Sequence, residues 1–498
     1  MSTSKQQDGT RMRPSDLVGC RFRFRRRCQF PDYPSREEVD AHLPQRIAAQ
    51  EAVLAQLPTK PALGDGRRRL FTRVDAADLA EFTTEGVFDL MRRGTNLITR
   101  VTLQGEIAGV AVEVDVDILV RTAGGYVPVI ISNHRVARTH PTSTLWAVPV
   151  GRLGLGSPLR VAGKYRHHTI DGYRLAMAHV LLGERSAGRG GVIGQDRSLA
   201  YGVDVEKYVA PLLLALAEPT PEHPIRYKQC ATCRFWPLCL PELEARDDIS
   251  LVLPGGKGDR FRAQGITTVQ QLIDAQLGEP SRIAEAWRAG IPLLRRPGTI
   301  SIRRADVEID IDMESYLDQG AYLWGTFDGE RYRPFVTWEE VGGDAEEANF
   351  AAFWRWLLDR RAQAHAEGKT FAAYCYAAAG ENHWLRMSAQ RFASIDAKEV
   401  QEFIASEEWV DVFASVRRHL VGTDGLGLKV LGPIVGFHWE DDDMDGEASI
   451  DRRFAAIRGD EDAKRTLLQY NEDDCRATRA VREFLDADAP GVPDFGEV

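Results

Sequence analysis

The chain has 498 residues, 44% of them hydrophobic, and a formal net charge of −10. That length predicts two or three domains rather than one, and that charge does not favour nucleic acid by bulk electrostatics, leaving the attraction to local patches. Apolar runs such as PLLLALAEP are too short to span a bilayer, and the polar start MSTSKQQDGTRMRPSD lacks a secretory apolar core, so the expectation is a cytoplasmic protein with no membrane contact.

In chain order, residues 1–14 read as a loose tail and 15–245 as a first α/β domain. Its basic runs, Arg21 to Arg27 and Arg67 to Arg69, are either phosphate contacts or solvated faces. Val112–Val120 alternates in part and reads as a strand, with Gly124–Ile131 as its neighbour across a Gly-Gly turn. Thr169–Leu182 reads as a helix, and Glu85 as a polar position on an earlier one, with a metal ligand as the alternative. Seven cysteines, an odd number, argue against a disulfide framework in a reducing compartment. Three of them form C-x2-C-x5-C at Cys230, Cys233 and Cys239. Thiolates suit zinc or an iron–sulfur cluster, and Cys20 is the expected fourth ligand, with Cys28 behind it. A small zinc knuckle or plain buried cysteines are the alternatives.

This spacing resembles RecB-like nucleases of the AddB type and their CRISPR-associated relatives, over about Ser15 to Leu243. The resemblance implies a PD-(D/E)XK, restriction-endonuclease-like core and a 4Fe-4S cluster on Cys20, Cys230, Cys233 and Cys239. In such a core Asp117 fits the first acid. The next strand places Ile130 where a second acid is needed and Ser132 where a lysine is needed, and neither does that chemistry. Arg174 falls near a position that often carries Gln. Asn133, His134 and Arg135 are the candidate substitutes. The first domain is therefore expected to grip DNA through arginines and aromatic stacking rather than cut it.

Residues 246–298 read as a short helical linker. LPGGKG followed by GITTVQQL resembles a helix-hairpin-helix, whose backbone N–H groups hold phosphate without reading sequence; a plain Gly-rich turn is the alternative.

Residues 299–486 read as a second α/β domain, with 487–498 as a disordered tail. DVEIDIDME is its most informative stretch. Alternation puts Val307, Ile309, Ile311 and Met313 on one strand face and Glu308, Asp310, Asp312 and Glu314 on the other. Carboxylates this close repel each other, and Mg²⁺ or Mn²⁺ would relieve them. In YNEDDC, helical spacing aims Tyr470 and Asp474 the same way and turns Cys475 aside. A phenol beside a carboxylate suits the orientation of a water next to a metal, and two metals stabilise both oxygens of a phosphodiester displacement.

From Val307 to Leu485 the sequence resembles the DEDDy exonucleases, and among them the YprB-like RNase H-like domains. The resemblance matches Asp312 and Glu314 to the first motif and Tyr470 and Asp474 to the third. Glu381 takes the place of the second-motif aspartate. Asp411 is a further acid at a place such domains often use, or a helix N-terminal acid. Lys429 is a phosphate contact or a surface lysine. The two-part layout is similar to a bacterial family of RecB-like nucleases. It implies a two-metal 3′→5′ exonuclease on single-stranded or end-frayed DNA, in repair or processing. RNA stays open as a substrate, because no residue reports on a 2′-hydroxyl. The rival expectation is a non-catalytic DNA-binding scaffold built from two degenerate nuclease domains.

Overall fold

The computed structural model describes residues 9–34, 43–59, 71–78, 83–133, 135–138, 140, 142–316, 319–441, 444 and 446–497. Two compact units divide the chain, Met1–Gly265 and Ile266–Val498. Among the described residues no helix is long and apolar enough to cross a membrane.

The first unit is built on an eight-stranded mixed sheet in the order β1-β2-β3-β4-β9-β10-β6-β7. Its strands are β1 (Arg73–Asp75), β2 (Leu97–Ile107), β3 (Val110–Thr122), β4 (Gly125–Ile131), β6 (Thr144–Pro149), β7 (Leu159–Ala162), β9 (Arg189–Ile193) and β10 (Leu199–Asp204). The short β5 (Ala137–Arg138) and β8 (Lys164–Tyr165) pair with each other. The expected hairpin is present: β3 and β4 are antiparallel. β3 turns continuously apolar at Ile118, Leu119 and Val120 because both of its faces are covered there. The Thr169–Leu182 helix buries Ala176, Met177 and Ala178 with Val114, Val116 and Leu119 on one face. The Leu43–Gln56 helix brings Val53 and Leu54 against Ile118, Val120 and Val129 on the other.

The second unit holds β11 (Leu293–Arg295) paired with β17 (Leu420–Gly422), and a five-stranded sheet in the order β14-β13-β12-β15-β16. That sheet consists of β12 (Val307–Tyr316), β13 (Gly320–Phe327), β14 (Tyr332–Val336), β15 (Phe371–Cys375) and β16 (Trp409–Asp411). β12, β13 and β14 are mutually antiparallel, while β15 and β16 run parallel to β12. The alternation of β12 decides its packing. Ile309 and Ile311 join a core with Phe350, Phe353 and Trp354 of the Asp344–Ala366 helix. The acidic face lies under the 26-residue Glu461–Asp486 helix.

Two expectations change. The stretch read as a separate linker divides at Gly265 between the units, and its LPGGKG turn leads into a helix of only four residues, Asp259–Arg262. The expected tails are tied down where they are described. Met12 bridges to Val112 of β3. Arg295 pairs with Asp488 and Asp494 and exchanges backbone hydrogen bonds with Pro493 and Phe495.

Candidate metal centre

Asp312 and Glu314 project from the same face of β12, and Asp474 from the Glu461–Asp486 helix above it. One oxygen from each of the three lies within 4.8 Å of the others. Trp439 Nε1 donates to Asp474 Oδ1 at 2.8 Å. Ser449 Oγ donates to Glu314 Oε2 at 3.3 Å. Asn471 Nδ2 donates to Asp312 Oδ2 at 2.7 Å, and Tyr332 O–H donates to Asn471 Oδ1 at 2.8 Å. One turn before Asp474, the hydroxyl of Tyr470 hydrogen-bonds to its carboxylate, as the helical spacing predicts.

Glu381 lies in the first turn of the Ala379–Arg391 helix and is 6% exposed. It stands outside the trio, yet its charge raises the pKa of both Asp312 and Glu314. The turn that delivers it passes through Ala377 at φ +64°, a left-handed conformation that strains a residue with a side chain. Asp411 Oδ1 holds that turn by accepting from Ala377 N at 3.1 Å, and it also caps the Val412–His419 helix. The helix-N-terminal reading of Asp411 thus describes its place, with a contact that steadies Glu381 added.

Burial pushes all four acids toward the protonated form, and their mutual repulsion adds to it. Asp312 is held well above the usual carboxylate range by burial first, then by Asp474, Glu314 and Glu381. Burial and Asp474 raise Glu314 to about 8. Burial, then Asp411 and Asp474, takes Glu381 to about 7. Asp474 reaches about 6, chiefly by burial, with Trp439, Lys429 and Tyr470 drawing it back down. Tyr470 is pushed further above the ordinary phenol value by burial and by the acids, so it keeps its proton.

Lys429 is not a surface lysine. Its Nζ is buried without a hydrogen-bond partner among the described residues. It lies 4.3 Å from the Trp439 ring centroid and 5.2 Å from that of Tyr470. Cys475 does not turn aside either. It is fully buried beside Asp310 and Asp312, and Asn471, Cys475, Thr478 and Arg482 form the buried stripe of the helix at i, i+4, i+7 and i+11. That spacing is the signal by which Asn471 could have been found. Trp439 carries no comparable signal. Its indole fits because Gly432 has no Cβ, which would stand 2.4 Å from the ring.

Residues 310–485 match a family model described as RNase_H superfamily. The C-terminal unit carries an RNase H-like domain. The acids of this RNase H-like domain lie within the matched segment, from Asp312 to Asp474. No curated protein matches the chain. A solved structure, "Crystal structure of SSO0001", aligns at 14% identity over 49% of this chain and 90% of its own, with a TM-score of 0.23.

In the first unit the four cysteines meet. Cys20, Cys230, Cys233 and Cys239 line one small cavity with Phe22, Phe235 and Trp236, and Arg23 and Arg26 share its wall. Tyr227 N donates to Cys230 Sγ at 3.2 Å. Cys28 does not line the cavity; burial raises its thiol, with Arg27 and Thr10 drawing it back.

Asp117 does not stand ready for an ion. Its Oδ2 accepts from Ile131 N at 2.7 Å and from Arg174 Nη2 at 3.1 Å, and Gln50 donates to its Oδ1. The Arg174 guanidinium thus supplies the positive charge beside this acid. Ile130 is buried in the core, and Ser132 Oγ is bonded to Asp171 at 2.7 Å. Arg135 Nε donates to Ala137 O, and His134 lies outside the described residues.

The Arg21–Arg27 run is spent on contacts within the unit. Arg21 donates to Ala215 O and Glu218 O, Arg25 to Pro221 O, and Arg26 and Arg27 pair with Glu242 and Asp16. They fasten the N-terminal helix to the rest of the unit. Arg67 to Arg69 lie outside the described residues.

Proposed function

We propose that this chain is a divalent-metal-dependent nuclease that trims single-stranded or end-frayed DNA from the 3′ end, in repair or processing. The observation that carries the reading is the convergence of Asp312, Glu314 and Asp474 within 4.8 Å. Acids gathered with this much burial repel one another, and hard cations such as Mg²⁺ or Mn²⁺ remove the conflict. Asp312, Glu314 and Asp474 would hold one ion, and Glu381, a methylene longer than the usual aspartate, would serve a second. Bound metal supplies the positive charge that favours an attacking hydroxide and a leaving oxygen.

The protein's own groups do the rest. Tyr470 keeps its proton, donates a hydrogen bond to Asp474, and uses its lone pair to orient the attacking water. Lys429, held between Trp439 and Tyr470, brings its ammonium to the phosphate. The 3′→5′ direction is supported by the likeness of Asp312, Glu314, Tyr470 and Asp474 to the DEDDy pattern.

The first unit is proposed as a RecB-like, non-cutting DNA holder bearing a 4Fe-4S cluster on Cys20, Cys230, Cys233 and Cys239. Four soft thiols round one cavity fit that group, and Arg23 and Arg26 would offset its negative charge. Iron and labile sulfide in anaerobically purified protein are expected; stoichiometric zinc without iron contradicts the cluster. Cys230→Ser is expected to destabilise the first unit more than the second.

The nuclease reading is tested by Mn²⁺-dependent digestion of 3′- and 5′-labelled single strands. Wild-type protein should release label from the 3′ end first, and Asp474→Asn should fall to background. Equal background from both proteins would favour the scaffold reading instead.

A further inference from the structure

The Leu43–Gln56 helix covers only part of its face of the first unit's sheet. Beyond the Val53 and Leu54 contacts, a groove of about 1100 Å³ runs past Val127, Gly191, Gly202 and Trp146. Alternation puts Arg189, Gly191 and Ile193 of β9 on this face, together with Ala200, Gly202 and Asp204 of β10. Gly191 and Gly202 are paired directly across the two strands. The Val129 side chain fills the space over the buried Gly191, so the open peptide plane of the floor is that of Gly202. Glycine inside a strand weakens it and marks a place where something approaches the backbone closely.

Trp146 stands beside that floor, 55% exposed, with the Arg160 guanidinium 5.4 Å from its ring centroid. Arg189 lines the groove and is exposed, whereas Arg121, which follows Val120 on β3, turns to the other face and donates to Gly94 O at 2.8 Å. Asp204, the one acid among the described lining residues, is paired with Lys207. On a chain of net charge −10 this is a cationic rim around an apolar, flat-bottomed slot, the combination that holds single strands by stacking and phosphate contact.

We infer that this groove binds a single-stranded nucleic-acid segment without reading its sequence. One base lies on Gly202 against the Trp146 indole, and Arg160 and Arg189 take the flanking phosphates. A duplex keeps its bases stacked inside and cannot present one to the floor. The inference rests on reading the chain as a nucleic-acid enzyme, and it replaces the Arg21–Arg27 run with a different strand-holding surface.

A clean block is available. A Cβ on Gly202 would meet Trp146 O and Cβ at 3.4 and 3.5 Å, ordinary contact, so Gly202→Leu fills the slot while β10 keeps its pairing. The test uses the full chain carrying Asp474→Asn, so that the strand survives, and follows fluorescence anisotropy of labelled oligothymidine. Gly202→Leu, Trp146→Ala and Arg189→Glu should each weaken binding about tenfold, with unchanged melting of the protein. Arg189→Glu should also flatten the salt dependence. Free thymidine monophosphate should compete poorly.

Binding equal to that of the parent in all three variants overturns the inference. So does competition by the mononucleotide as strong as that by the oligomer, which makes the groove a small-molecule pocket. A change of oligomeric state in the variants, with strand binding intact, assigns the face to a second copy of the chain. Digestion by the wild-type protein, with Asp474 intact, is run alongside. No digestion with weakened binding in the variants leaves the groove standing and sinks the nuclease reading, whereas digestion with unchanged binding does the reverse.

Discussion

Asp312 is held by a relay, and the relay decides which of its oxygens faces an ion. Asn471 fixes Oδ2 while Tyr332 fixes Asn471, leaving Oδ1 for metal. Outer contacts of this kind commonly change metal affinity 10- to 100-fold. Asn471→Ala should therefore raise the Mn²⁺ concentration for half-maximal cleavage about tenfold, and Gly325→Ala should do the same. A Cβ at Gly325 would fall 1.7 Å from Asn471 Oδ1. An unchanged half-saturation in both variants would show that Asp312 needs no such support. Asp312, Glu314, Tyr470 and Asp474 were legible in the sequence because each pair obeys a short local period. Asn471, Trp439 and Ser449 act on partners far along the chain, and only Asn471 leaves a trace in the helical period.

The same acids set a pH dependence. Their folded values, about 8 for Glu314, about 7 for Glu381 and about 6 for Asp474, lie above the roughly 4 of an unfolded carboxylate. Between those limits the folded state holds more protons than the unfolded state, so stability falls as pH rises. The metal-free protein should lose melting temperature from about pH 5 to about pH 8, and Mg²⁺ or Mn²⁺ should restore it at the upper end. A melting temperature that rises across that window without metal would contradict the burial of these groups.

At the scale of elements, β12 spends its acidic face on two tasks. Glu308 and Asp310 belong to the clamp on the long helix, and Asp312 and Glu314 to the centre. Arg482, fully buried, donates to Asp310 at 3.1 and 2.9 Å and to Glu308 at 2.6 Å. Burial still raises Asp310 to about 6. It pushes Glu308 up as well, but Arg304 and Arg482 outweigh it and hold Glu308 near 2. Removing one partner from a buried ion pair typically costs about 3–5 kcal/mol. Arg482→Ala should destabilise the second unit by that amount in urea unfolding. A cost under about 1 kcal/mol would mean that the acids rearrange into water. Strand alternation revealed that four acids share one face; it held no information on the division, which comes from an arginine on the closing helix. The Arg21–Arg27 run shows the converse error. Its charges look free in the sequence because the carbonyls and acids that absorb them come mostly from residues near 215–242.

For the whole molecule, the proposed chemistry belongs to the second unit. Asp117 of the first is saturated by Ile131, Gln50 and Arg174, so Asp117→Asn should leave the cleavage rate of the folded protein within about twofold, since substitutions that share no partner with a centre act independently of it. A drop as deep as that of Asp312→Asn would return the first unit to the catalytic account. The loss of the acid-x-lysine pair at Ile130 and Ser132 was readable directly, because neither side chain can do the work. The closure of Asp117 by Arg174 required the fold, which brings the helix back over the sheet.

The most direct measurement is a Mn²⁺-soaked crystal of the full chain, read by anomalous scattering. The account predicts a peak bounded by Asp312, Glu314 and Asp474, and a second one within reach of Glu381. Density absent from that pocket at saturating Mn²⁺, or an ion seated instead at Asp117, would contradict it.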